Sequence, residues 1–144
     1  SDDSYWMYPP YEQLRKMSKD ALSRIEDFRV GRRGHGQVRF LRPVDLTGIS
    51  ILAAIPGNLV LFERKGCTVY PDEATKPARG EGLNIPAQIT LERIWVVDRA
   101  MRRPIVDEAD PRFQAHVTKL RSVTDTEFIE YLGDKGTWVF RVQH

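Results

Sequence analysis

Apolar positions along the 144-residue chain change period several times, and each change marks an element. Leu14, Met17, Ala21, Leu22 and Ile25 recur at spacings of three and four. That spacing predicts a short amphipathic helix, or two broken ones, over much of 10–24, with Pro10 suited to its first turn. From Asp27 the pattern alternates. Phe28 and Val30, then Val38 and Phe40, flank Gly31-Arg32-Arg33-Gly34-His35-Gly36, which predicts a hairpin with both phenylalanines in the core. Leu59, Leu61 and then Thr68, Tyr70 flank Arg64-Lys65-Gly66 as a second hairpin. Gln88 to Val97 reads as a strand with Ile89, Leu91 and Trp95 inward. Asp110-Pro111 is a helix start, a capping side chain before a first-turn proline, and Phe113, Val117 and Leu120 continue it at helical spacing. Two last strands, around Phe128–Leu132 and Thr137–Val142, are joined by Gly133-Asp134-Lys135-Gly136. On the final strand Trp138, Phe140 and Val142 share one face, and Val139, Arg141 and Gln143 the other.

The sum is an α+β chain with a mostly antiparallel sheet of about six strands, flanked by short helices. Residues 1–10 read as a lead-in whose Tyr5, Trp6 and Tyr8 can pack on the domain. The domain itself is expected over 11–144. One interval fits no element: 71-PDEATKPARGEG-82 holds two prolines and two glycines among mostly polar residues, so it is expected as a long exposed loop.

Charge changes this picture little. The chain has 22 basic and 20 acidic residues, a net charge of +2, so a general nucleic-acid or membrane footprint is not demanded. Locally it is uneven: Arg29, Arg32, Arg33, Arg39 and Arg42 form a basic run, and Asp107, Glu108 and Asp110 an acidic one. Cys67 is the single cysteine, which excludes an intrachain disulfide and suits a reducing compartment. The longest apolar stretch, 49–62, is interrupted by Pro56-Gly57-Asn58 and is too short to span a bilayer. The first ten residues lack the basic start and apolar core of a signal peptide. A soluble domain without membrane insertion is the expectation.

Motifs for known chemistries are mostly missing. Residues 107–110 spell DEAD, but no phosphate-binding GxxxxGK[ST] accompanies them. The glycines of 31-GRRGHG-36 do not have dinucleotide spacing; they suit a turn, with Arg32 and Arg33 as candidate RNA contacts. One cysteine and three scattered histidines give no zinc-ligand pairs, so no metal is expected. Cys67 with His35 or His116 is conceivable as a nucleophile pair, but a cysteine in a strand is more often packed and inert. No complete set of nucleophile, base and orienting group is visible for an enzyme acting on other molecules.

Four stretches, taken in order, are more specific: 28-FRVGRRGHGQVRF-40, 69-VYPDEATKPARGEGLN-84, 86-PAQITLERIW-95 and 137-TWVFRVQH-144. Together they resemble the C-terminal autoproteolytic domain of the GLFG nucleoporins, over nearly the whole chain from about Tyr5. The resemblance implies the nucleoporin autopeptidase fold, a place in the nuclear pore complex of the nuclear envelope, and a part in protein and mRNA transport. It implies a single-turnover, serine-type cut after a His-Phe pair, by an N-to-O acyl shift and with no cofactor. His144 matches the family's histidine, the base that takes the nucleophile's proton. Asn84, in GEGLN, is a candidate for positioning the scissile carbonyl as an oxyanion donor. The Phe and the nucleophile follow the last residue of this sequence, so the chain as given is expected to be inactive and to look like a trimmed cleavage product. FG repeats would lie upstream. The family's mature role is docking, on a β-propeller nucleoporin of the cytoplasmic side or on its own cleaved partner. Lys76 and Arg79, in the 71–82 loop, are the candidates for meeting acidic groups of that partner.

Overall fold

Alternation along the chain becomes sheet wherever one face can be buried. The computed structural model describes residues 3–144. It has ten strands: β1 (Tyr5–Tyr8), β2 (Arg29–Arg32), β3 (Gly36–Phe40), β4 (Val60–Glu63), β5 (Gly66–Val69), β6 (Ala87–Leu91), β7 (Val97–Asp98), β8 (Arg103–Pro104), β9 (Glu127–Leu132) and β10 (Thr137–Val142). Six form one antiparallel sheet in the order β1-β2-β3-β6-β10-β9. The β4–β5 and β7–β8 hairpins stand apart as two-stranded ribbons. The expected α+β class and six-stranded sheet are as observed.

Three short helices flank the sheet. The 10–24 segment resolves into two pieces, α1 (Tyr11–Leu14) and α2 (Lys19–Leu22). The break falls where Ser18 caps α2, its hydroxyl accepting from the Ala21 N–H at 3.1 Å. The third, α3 (Pro111–Arg121), starts as its sequence indicates: Asp110 accepts from the Arg112 N–H at 2.8 Å, and Pro111 opens the first turn. Its Phe113 and Leu120 are buried.

The core gathers the alternating residues of the main sheet. Phe28, Val30 and Val38 are fully buried, and Phe28 stacks on Phe40 with ring centroids 5.8 Å apart. Each such side chain contributes about 1.5–3 kcal/mol by leaving water. Trp138 and Phe140 stack at 4.1 Å on β10. Gly36 makes close sheet packing possible: its φ is +143°, and a side chain there would overlap the Thr90 carbonyl of β6.

Two features differ from the pattern reading. Residues 5–8, expected only to lead in, form the edge strand β1, in register with β2 from Tyr5↔Arg32 to Tyr8↔Arg29. Four consecutive aromatic and apolar residues suit a strand, but nothing local says which strand they join; β2 supplies the partner. The strand at Gln88–Val97 stops at Leu91, because Arg93 takes the left-handed region at φ 60° and turns the chain out of the sheet. Trp95 therefore lies outside the sheet, half-buried, its Nε1–H donating to the Gly133 carbonyl at 3.0 Å. The final strand β10 is interior, between β6 and β9, not at an edge. Both faces are covered, so Val139 is buried along with Trp138 and Phe140.

Candidate active site

The site forms where β10 ends. Pairing of Ala87 with Val142, and of Phe40 with Ala87, brings the last turn of β10 beside β6 and β3. The floor is apolar: Phe40, Ile85, Ala87 and Ile89 line a cavity of about 220 Å³ whose rim carries Val142 and His144. Asn84 and Lys76 line the same cavity. These residues are up to 68 positions from His144 in sequence, and only the fold joins them.

The loop between β5 and β6 is folded back on itself to build one wall. Tyr70, at φ 57° and buried, accepts the Leu83 N–H on its hydroxyl at 2.9 Å. Burial pushes that phenol's pKa up, and the Leu83 N–H offsets part of the rise. Gly82 allows the closure: its φ is +54°, and a Cβ would stand 2.8 Å from the Tyr70 hydroxyl. The Gly80 N–H donates to the Asn84 carbonyl at 2.7 Å, and the Asn84 N–H to the Glu81 carbonyl at 2.9 Å. The second glycine of GEGLN and its asparagine are thus loop-closing residues.

Asn84 is 4% exposed. Its Nδ2 donates to the Pro77 carbonyl at 2.9 Å, while Oδ1 is buried with no partner among the described residues. Exchanging oxygen and nitrogen would set two acceptors against each other, so the amide orientation is fixed. The unpaired atom is an acceptor. A developing oxyanion needs a donor, so this geometry suits Asn84 to receive a peptide N–H better than to stabilise an oxyanion.

The remaining candidates separate. Lys76 is half-buried at the cavity, whereas Arg79 is exposed on the loop and does not line it. A larger open recess of about 720 Å³ lies on the other side of this loop, with Asp45 and Glu81 in its lining; His144 and Asn84 are not part of it. Arg32 turns inward. It donates to the Ser4 hydroxyl and the Phe62 carbonyl, and its guanidinium covers the Tyr5 ring at 5.1 Å. Arg33 is exposed, with Nη1 donating to the Asp3 carbonyl at 2.7 Å. Both lie at the far end of the β2–β3 hairpin from His144. Cys67 is half-buried in β5, and burial raises its thiol to about 12. His116 binds the Ile94 carbonyl through Nε2 at 2.8 Å and edges onto Tyr131, so it is a packing residue, not a partner for that thiol. The part played by Asn84's orphan oxygen was not legible beforehand; the only sequence signal was an asparagine ending a glycine-rich loop.

Comparison with known proteins identifies the family and the fold. The family model described as Nucleoporin2, the Nup98-96 autopeptidase S59, matches residues 2–144. The chain belongs to the Nup98-96 autopeptidase family. Among relatives of this autopeptidase domain, nucleoporin nup189 of Schizosaccharomyces pombe is 51% identical over 142 residues, which is 99% of this chain and 8% of that protein. The chain therefore spans a small part of the curated relative it matches. The fold matches the solved yeast heterotrimeric Nup82-Nup159-Nup116 nucleoporin complex with a TM-score of 0.92 at 34% identity, covering 100% of this chain and 98% of that one. It matches a Chaetomium thermophilum Nup145N APD mutant fused to Nup145C N with a TM-score of 0.87 at 39% identity, covering 97% and 93%. The relatives are nucleoporins of the nuclear pore complex, and this chain is an autopeptidase domain of that class.

Proposed function

We propose that this domain cuts its precursor once, after the residue that follows His144, and afterwards docks its nucleoporin to others through the 71–82 loop that walls the cavity. The observation that carries this is the convergence of His144, Asn84 and Lys76 on one apolar cavity at the end of β10. The residue after His144 is a phenylalanine in the pattern this chain resembles. A cavity of about 220 Å³ has room for its ring; a dry apolar cavity of about 150 Å³ already takes a benzene-sized ring. Seating that ring holds the next peptide bond at the strand end. A following serine hydroxyl then attacks the carbonyl of that phenylalanine. Its proton passes to the His144 imidazole, the C–N bond breaks as the amine is protonated, and the chain continues through an ester. Water opens the ester, leaving a new carboxylate and a free hydroxyl.

Docking would use the loop beside the cavity, where Lys76 and Arg79 lie. The relative in the Nup82-Nup159-Nup116 complex was solved with other nucleoporins, which supports a nucleoporin partner here. A β-propeller of the cytoplasmic side, or the cleaved partner itself, would supply acidic groups to Lys76 and Arg79. Arg32 is committed to the fold, so a weak RNA contact at the basic turn would fall to Arg33.

The test extends the chain by Phe, Ser and a short tail. Mass spectrometry should find the tail released, and His144→Ala should prevent release. An unchanged cut in the alanine variant would remove the base from His144.

A further inference from the structure

A second recess lies at the opposite end of the sheet from His144. The two sites lie at opposite ends of β6, whose ends are about 13 Å apart, four residues at about 3.3 Å each: Ala87 pairs with Val142 at the cavity end, and Leu91 with Trp138 at this one. Its volume is about 450 Å³. Arg64 and Lys65 reach it from the β4–β5 turn, His35 from the β2–β3 turn, and Glu92, Arg93 and Trp95 from the segment after β6.

Its walls are held in place. Gly136 lets the chain pack against the Trp95 ring, since a Cβ there would stand 2.9 Å from it. The indole N–H is anchored on the Gly133 carbonyl at 3.0 Å. Arg93, in the left-handed region, is tied by its N–H to the Lys135 carbonyl at 3.2 Å, and its guanidinium lies over Gly34. Glu92 is fixed by the Thr137 hydroxyl at 2.9 Å and by its own N–H on the His35 carbonyl at 2.8 Å. A recess so held needs little ordering when a ligand enters.

Its charge is unbalanced. Several arginines elsewhere pair with carboxylates, Arg29 and Arg39 with Asp27 and Arg112 with Asp98 and Asp110, while others are solitary on the surface. Arg64, Lys65 and Arg93 make no ion pair with any described residue. Three cations against the single carboxylate of Glu92 leave an excess of positive charge beside an apolar indole wall.

We propose that this recess is a second docking site, which takes a protein segment carrying acidic side chains beside an apolar one. The carboxylates of the segment pair with Arg64, Lys65 and Arg93. Its apolar side chain lies on Trp95. Glu92 accepts a backbone N–H, a donor that a peptide offers at nearly every residue. A nucleic-acid strand fits less well: its phosphates would pass Glu92, and one indole gives a single stacking platform where strand binding uses several. Standing at the other end of the sheet, this site leaves the 71–82 loop free, so the domain can bridge two partners at once.

The test uses the isotopically labelled domain and, as probe, an acetylated and amidated pentapeptide Glu-Asp-Phe-Asp-Glu, followed by nuclear magnetic resonance. Saturable shifts are expected at the Trp95 indole N–H and at the Gly34, Lys65 and Arg93 amides. Arg64→Ala and Arg93→Gly should each weaken binding about tenfold, as loss of a charge pair does. Raising the salt to shorten the Debye length should weaken it too. Arg24→Ala, outside the recess, should leave it unchanged. Because Arg64 is an exposed turn residue, its variant keeps the fold, which thermal unfolding verifies. The proposal is overturned if no saturable shift reaches these groups at about millimolar peptide, or if Arg64→Ala and Arg93→Gly both bind as the parent does. It is also overturned if a single-stranded oligouridylate occupies the recess more tightly than the peptide at equal ionic strength.

Discussion

Replacing Asn84 by leucine separates the cost of folding this domain from the work done at its cavity. In the free domain two effects oppose each other. The substitution removes the Nδ2–H bond to the Pro77 carbonyl, worth about 1 kcal/mol net. It also removes the buried Oδ1, which has no partner and costs about 1–3 kcal/mol of lost hydration. Leucine has the same number and branching of side-chain heavy atoms, so it leaves no void at a position 4% exposed. The balance lies between zero and about 2 kcal/mol in favour of leucine, a rise in melting temperature of about 8 °C or less for a domain of this size. With the chain extended by Phe, Ser and a tail, the balance changes. If Oδ1 accepts an N–H from the segment in the cavity, leucine forfeits a bond of about 1–1.5 kcal/mol in the held state. Cleavage should then slow about five- to fifteenfold. The assay pairs thermal unfolding of the free domain with the rate of tail release followed by mass spectrometry. A melting temperature that falls by more than about 10 °C would show Asn84 to be structural. An unchanged cleavage rate without loss of stability would show that its oxygen holds nothing.

Two further outcomes follow from the same wall of the site. Gly82→Ala would set a Cβ 2.8 Å from the Tyr70 hydroxyl at a backbone φ of +54°. It should cost about 2 kcal/mol by strain and by loss of the Leu83 bond, and should slow tail release more than it lowers the melting temperature; equal effects would place the loop outside the site. For Cys67, burial raises the thiol from 9.0 to about 12, so at pH 8 the folded domain holds roughly a thousandfold less thiolate than the unfolded chain. Reaction with an aromatic disulfide should be correspondingly slow until the domain unfolds. The sign for stability is that of an acid whose folded pKa is raised: its contribution is complete below about pH 9 and is lost as pH rises toward about 12. Fast labelling of the native domain at pH 8 would refute the burial argument.

Elements whose signal is local were legible along the chain. Periodicity and turn chemistry act over a few residues, so the β2–β3 and β4–β5 hairpins, the Asp110-capped helix and the last two strands could be read from spacing alone. The family motifs singled out His144, Asn84 and Lys76. What those residues share was decided by the fold: a cavity walled by β3, β6, the end of β10 and a loop pinned by Tyr70. Strand pairing, like the joining of β1 to β2, depends on which segment arrives beside it, and no local pattern encodes that. The roles of polar atoms depend on their partners in the same way. Arg32 reads as a free cation in a basic run, yet it is bonded inward once β1 and β4 lie against it. Arg64, Lys65 and Arg93 belong to no run, yet three turns carry them and His35 into one recess. The residues and their chemistry are written in the sequence. Which of them stay unpaired, and face each other across a cavity, is set by long-range packing, because a hydrogen bond or ion pair exists only once both groups have been brought within reach.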